Sequence, residues 1–154
     1  MGFGQLKSPL TNQAPEVPHV LIAFLLSGIP DLSVVEENHS NTLMKAIELT
    51  SETFDSTLAA TSLPVLVDFH AEWCGPCKML GPIVEQVAEA KAGQAVVAKV
   101  DIDAARDIAI RFRITSVPTL IVFKDGQPVV ESRGVQTKAA IESMIAQAAG
   151  TTVA

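Results

Sequence analysis

Tyrosine is absent from this 154-residue chain, tryptophan occurs once and cysteine twice. Two cysteines cannot build the multiply cross-linked scaffold of a small secreted domain, so Cys74 and Cys77 are left for redox chemistry or metal binding. Cations are scarce: 11 Lys and Arg face 17 Asp and Glu, a net charge of −6. That balance repels phosphate backbones and anionic lipid, and excludes nucleic acid and membrane surfaces as principal partners. The longest apolar run, residues 20–26, has seven residues, where a membrane-spanning helix needs about 20. There is no internal repeat. What is present is 48% hydrophobic and 18% charged, enough for a core and too apolar for a disordered chain. At roughly 150 residues per domain the length allows one domain with a short appendage.

Composition changes near residue 44. Residues 1–43 hold four of the nine prolines, two of the three histidines, one lysine, no arginine and four acids. A secretory signal begins with a short basic region, but here 19 residues that include Lys7 and Glu16 precede the apolar run, and no Ala-x-Ala site follows. A transit peptide is rich in Arg and poor in acids. The expectation is a cytoplasmic protein with a domain at 44–154. Residues 1–43 are then a loosely ordered extension, or an artefact of an upstream start codon with Met44 as the true start. If the extension is present, residues 20–26 dock on the domain, because such a run left exposed aggregates.

From residue 44 the pattern is regular. Residues 45–49 alternate as a short strand, and Thr50 is placed to cap a helix carrying Phe54 and Leu58. Residues 64–69 read as a strand apolar on both faces apart from Asp68. After a Gly/Pro/Cys turn, Leu80, Ile83, Val84, Val87 and Ala88 recur at helical spacing to about Lys91, with a kink expected at Pro82 and a stop at Gly93. Residues 95–100 form the next strand, and Asp103 caps a helix to about Phe112. Residues 119–123 and 128–132 flank an Asp125-Gly126 pair that predicts a hairpin. A last helix from about Thr137 places Ile141, Met144, Ile145 and Ala148 on one face. Strand, helix, strand in succession implies parallel pairing through a crossover. The whole reads as an α/β domain, a mixed sheet with helices on both faces.

Trp73-Cys74-Gly75-Pro76-Cys77-Lys78 lies between a buried strand and a helix. A sulfur just ahead of a helix meets free backbone N–H groups and the positive end of the helix dipole, both of which favour a thiolate, so Cys74 is the reactive thiol. Two intervening residues bring Cys77 round one turn, within reach of a mixed disulfide on Cys74, as the resolving thiol. Gly75 lets the chain approach closely, and Pro76 pre-sets the first helical turn. The competing reading is metal. Tetrahedral zinc takes four ligands, whereas the two thiols and His70 make three, so a metal site would need a second subunit.

Period-two geometry places Leu66, Asp68 and His70 on one face of their strand and Val65, Val67 and Phe69 on the other. Asp68 is then either a desolvated carboxylate, able to accept the Cys77 proton, or an acid turned outward. Lys99 is either its counter-charge or a surface lysine. Trp73 is packing or an apolar platform for a partner. Pro118 marks a strand start at Val117-Pro118-Thr119, with a cis bond improbable on general grounds, and Gly134 reads as a strand terminator.

Residues 44–154 resemble a thioredoxin. The resemblance rests on Val67-Asp68-Phe69, Ala71-Glu72-Trp73-Cys74-Gly75-Pro76-Cys77-Lys78, Ala98-Lys99-Val100-Asp101, Val117-Pro118-Thr119 and the Lys124-Asp125-Gly126 turn. It implies a thioredoxin fold, a five-stranded mixed sheet flanked by four helices. Cys74 would be the nucleophile, Cys77 the resolving thiol, Asp68 the buried proton carrier and Lys99 its partner. The bond before Pro118 would be cis and face the sulfurs. The backbone of Val117 would pair with an extended client segment, with Trp73, Gly134 and Val135 as the apolar docking surface. The Gly75-Pro76 pair implies a reducing member that acts on disulfide-containing client proteins and is recharged by an NADPH-dependent, flavin-containing thioredoxin reductase. No cofactor or metal is implied beyond the redox-active Cys74–Cys77 disulfide, and a small electron carrier needs no partner subunit, so a monomer is expected. Thioredoxins usually carry a large aromatic where this chain has His70, which either pairs with Asp68 and tunes proton transfer or fills the space, the latter being the expectation. Two rival functions are a non-catalytic binding module or holdase, disfavoured because binding alone requires neither thiol, and an oxidase or isomerase, disfavoured by Pro76 before Cys77.

Overall fold

The computed structural model describes residues 45–150. The extension at 1–43, with the docking expected of residues 20–26, lies outside the described residues. In chain order the elements are β1 (Ile47–Glu48), α1 (Phe54–Ala59), β2 (Val65–His70), α2 (Gly75–Ala90), β3 (Val96–Asp101), α3 (Arg106–Arg111), β4 (Thr119–Lys124), β5 (Gln127–Arg133) and α4 (Lys138–Ala149). The strands form one sheet in the order β1-β3-β2-β4-β5. β3 runs parallel to both β1 and β2, whereas β2/β4 and β4/β5 are antiparallel. This is the mixed five-stranded α/β sheet with four helices that the sequence implies.

Alternation along β2 divides the core in two. Leu66 joins Leu80, Val84 and Val87 of α2, Leu120 and Val122 of β4, and Ile141 and Ile145 of α4 on one side of the sheet. Val65, Val67 and Phe69 join Phe54, Leu58, Ile108 and Phe123 on the other. There Phe54 and Phe112 each meet Phe123 edge to face, at 5.6 and 5.0 Å between ring centroids, contacts that add about 0.5–1.5 kcal/mol each beyond burial. On α2 the buried stripe is Cys77, Leu80, Val84, Val87 and Ala88. Cys77 is thus the first member of the helix's core-facing row, which turns it toward the Asp68 side of β2.

Local departures from the sequence reading have physical reasons. β1 keeps only two residues of the expected 45–49. The first helix is counted from Phe54, because Thr50 and Thr53 close a turn ahead of it: Thr50 N donates to Thr53 Oγ1 (2.9 Å) and Thr53 N to Thr50 Oγ1 (3.3 Å). α2 continues past Pro82 to Ala90, although the ring removes the N–H that would have met the Lys78 carbonyl. α3 starts at Arg106 with no side-chain cap, so Asp103 does not cap it. Instead Asp101 Oδ1 accepts from Asp103 N at 2.8 Å, ordering the turn that follows β3. The hairpin forms as expected, with both Asp125 (φ 50) and Gly126 (φ 76) in the left-handed region, the conformation a tight two-residue turn between twisted strands requires.

Candidate functional site

Cys74 and Cys77 are joined by a disulfide, with Cα atoms 5.3 Å apart. Cys74 is the N-cap of the 16-residue α2, and its Sγ accepts the Cys77 backbone N–H at 3.1 Å. Pro76 occupies the first turn, where a missing N–H leaves nothing unsatisfied. In the reduced state that N–H would face a thiolate. A hydrogen bond to a charged acceptor contributes about 1.5–3 kcal/mol, and a helix terminus up to about 2 kcal/mol where the charge is partly buried. The backbone donor and the dipole therefore act together on this sulfur. Both sulfur-bearing residues are buried, packed with Ala71 and partly covered by Ile102 and Val117. Gly75 departs from expectation: a Cβ placed there would meet nothing within 4 Å, so the chain makes no close approach to it.

Asp68 is 1% exposed, which removes the outward-turned alternative. Its Oδ1 has no hydrogen-bond partner. Burial pushes its carboxyl up from 3.8 to about 6, partly opposed by the charges of His70 and Lys99 and reinforced by Glu48. A cleft of about 190 Å³ is lined by Asp68, His70, Cys77, Lys78 and Lys99, among others. It is large enough for water to bridge the carboxylate and the Cys77 region. Lys99 stands beside Asp68 in strand register, yet its Nζ lies 3.6 Å from Glu85 Oε1 on α2 and makes no ion pair with Asp68. His70 neither pairs with Asp68 nor merely fills space. Its Nε2 lies 3.0 Å from Glu48 Oε1 on β1. Glu48 and Glu85 are site residues that sequence reasoning misses; a side chain one strand or one helix away leaves no local signal.

Of the remaining residues, Val117 packs against the two cysteines. The Val117–Pro118 bond is cis, and Pro118 O accepts from Gly134 N at 2.8 Å, which ties the start of β4 to the end of β5. Gly134 has φ 80, a conformation that favours glycine. Trp73 is 68% and Val135 41% exposed. The Trp73 indole N–H donates to Asp103 Oδ2 at 2.7 Å, so the carboxylate expected to cap α3 holds the tryptophan instead. Among the described residues no group of three or more His, Cys, Asp or Glu could hold a metal ion, and no helix is long and apolar enough to cross a membrane.

A sequence model of the thioredoxin family matches residues 45–147. Thioredoxin of Mycobacterium tuberculosis is 46% identical over 95 residues, 62% of this chain and 82% of that protein. A protein of Mycobacterium leprae named bifunctional thioredoxin reductase/thioredoxin is 44% identical over 95 residues, 62% of this chain and 21% of its own length. Among solved structures, a mutant thioredoxin from Halobacterium salinarum superposes with a TM-score of 0.65 at 34% identity, covering 73% of this chain and 97% of that one.

Proposed function

This chain belongs to the thioredoxin family, and from that premise we propose how its residues divide the work. The protein is a protein-disulfide oxidoreductase that operates by dithiol–disulfide exchange at Cys74-Gly75-Pro76-Cys77. In the reduced protein the Cys74 thiolate attacks one sulfur of a client disulfide; the S–S bond breaks, and the other client sulfur leaves as a thiolate and is protonated. Asp68 takes the proton of the Cys77 thiol through the cleft they share. The Cys77 sulfur then attacks Cys74 Sγ, releasing the second client sulfur as a thiolate, which takes up a proton. The client has gained two electrons and two protons, and the protein is left with the Cys74–Cys77 disulfide.

The observation that carries this assignment is the Cys77 N–H on Cys74 Sγ at 3.1 Å. It aims one backbone donor at the attacking sulfur and leaves Cys77 without an equivalent stabilisation. Lys99 acts on Asp68 by its field, and His70 does so from its contact with Glu48. Val117, Pro118 and Gly134 offer a client segment backbone beside the disulfide, with Trp73 and Val135 as apolar contacts and Gly75 and Pro76 beneath. A thioredoxin reductase drawing on NADPH returns the disulfide to dithiol, a partner supported by the Mycobacterium leprae relative named for both activities. The working form is a cytoplasmic monomer with no bound cofactor other than the redox-active disulfide.

Insulin reduction with NADPH and a thioredoxin reductase tests the assignment. Wild type turns over. Cys77→Ser gives no turnover and accumulates stable mixed disulfides through Cys74, and Cys74→Ser gives neither. A binding module would show no turnover in the wild type, and mixed disulfides that formed equally through either sulfur would overturn the assignment of Cys74.

A further inference from the structure

Glu85 projects from α2 and uses its two oxygens for different tasks. Oε2 accepts the Ala46 backbone N–H at 3.1 Å, just ahead of β1, and Oε1 lies 3.6 Å from the Lys99 Nζ. The first contact fixes the carboxylate; the second fixes the ammonium. As a source of stability this pair is weak, because Glu85 is 41% and Lys99 23% exposed and such pairs are screened by solvent. Its position is informative. Lys99 is the cross-strand neighbour of Asp68, both line one cleft of about 190 Å³, and Asp68 Oδ1 is buried with no hydrogen bond from a protein group. An ammonium next to a buried carboxylate is drawn toward it by their charges, against the cost of leaving solvent.

We propose that Glu85 is a positioning residue for the exchange reaction, holding the Lys99 ammonium off Asp68 so that the carboxylate stays open to the Cys77 proton. The inference rests on the reading of Asp68 as proton acceptor. Were Lys99 to pair directly with Asp68, the carboxylate would be both occupied by the ammonium and a weaker base. The charged and titratable groups around Asp68 are His70 on its own strand, Lys99 on β3, Glu48 on β1, Glu85, Lys78 and Cys77 on α2, and Glu72 in the β2–α2 loop. In the disulfide form Cys77 does not titrate, which makes that form the right one in which to follow Asp68.

The test is a carbon-13 NMR titration of the Asp68 side-chain carboxyl in the oxidised full chain, in wild type, Glu85→Gln, Lys99→Met and the double variant. Glutamine retains an oxygen for Ala46 N, and methionine keeps the packing of the lysine stem. Glu85→Gln should lower the Asp68 midpoint by about 0.5–1 pH unit when Lys99 is present, within the range an approaching cation produces. In the Lys99→Met background the same substitution should shift it by less than half as much, because only the direct field of Glu85 is then lost. Equal shifts in both backgrounds, or no shift in either, overturn the proposal. The pH profile of mixed-disulfide resolution, followed by stopped flow, separates this inference from the reading beneath it. Its acid limb should move with the NMR midpoint in Glu85→Gln and vanish in Asp68→Asn. A limb that stays in Asp68→Asn refutes Asp68 as acceptor, and the reaction role of Glu85 falls with it. A limb that vanishes there but does not move in Glu85→Gln refutes Glu85 alone.

Discussion

Replacing Asp68 by asparagine should make the protein more stable, and by an amount that depends on pH in a prescribed way. Burial lifts the carboxyl from 3.8 to about 6 in the folded state, a difference equivalent to about 3 kcal/mol. An acid held higher in the folded state than in the unfolded chain favours folding when protonated. The contribution is complete below 3.8 and is lost as pH rises through about 6, because over that window the unfolded chain binds fewer protons. Asparagine lacks this dependence, and its own pH-independent packing difference cancels when two pH values are compared. Urea unfolding of the oxidised proteins at pH 4 and pH 8 isolates the effect, since the other carboxylates are common to both. Relative to wild type, Asp68→Asn should gain about 2.4 kcal/mol on going from pH 4 to pH 8, since at pH 4 the unfolded carboxyl is already partly ionised. At slopes of about 1–3 kcal/mol per molar urea, that is a relative midpoint displacement of about 1–2.5 M. A stability gap of the same size at both pH values would show that the carboxylate is not held protonated by burial, and the proton-acceptor argument would lose its physical basis.

Trp73→Phe keeps an apolar ring but removes the donor that meets Asp103 at 2.7 Å; loss of about 0.5–1.5 kcal/mol of orientation should raise the KM for a protein disulfide about twofold to tenfold, leaving kcat within twofold. A kcat loss with KM unchanged would place Trp73 in the chemistry rather than in docking. Gly126→Ala puts a Cβ on a backbone at φ 76 and should cost about 1–2 kcal/mol, a fall in Tm of about 4–16 °C for a domain of this size. Differential scanning calorimetry at pH 7 would contradict the turn argument if the melting temperature were unchanged.

What can be read from the chain in advance is what neighbouring residues decide. The strand-to-helix junction at Cys74, the hairpin at Asp125-Gly126 and the two faces of β2 follow from spacings of two to four residues, and all three are present in the fold. What escapes such reading is pairing at a distance. Asp103 resembles a helix cap because it precedes a helix, but Trp73, 30 residues earlier, competes for its carboxylate and wins with a charge-assisted hydrogen bond. Strand geometry sets His70 only against Asp68, its neighbour along the strand, whereas its partner Glu48 lies 22 residues back on β1. It likewise matches Lys99 to the nearest acid in the sheet, whereas Glu85 reaches it from the helix above. The cis bond at Val117–Pro118 lies beyond local reasoning and comes only from the family resemblance.

These distant pairs share a consequence. The two basic side chains that act on Asp68 each have an external carboxylate: Glu48 for His70 and Glu85 for Lys99. Across the sheet, Glu48, Lys99, Asp68 and Leu120 stand in one register row, so acids flank the lysine on both sides while only Leu120 faces Asp68 from β4. A domain with a net stability of about 5–15 kcal/mol gives up about 3 kcal/mol of it near neutral pH to keep this carboxylate buried and unpaired. A single turn of the lysine would recover part of that, and the geometry withholds it. Structural reasons alone would favour asparagine or a closed ion pair at position 68. An acid kept open in the cleft it shares with Cys77 is the arrangement expected where stability has been exchanged for a reversible proton site.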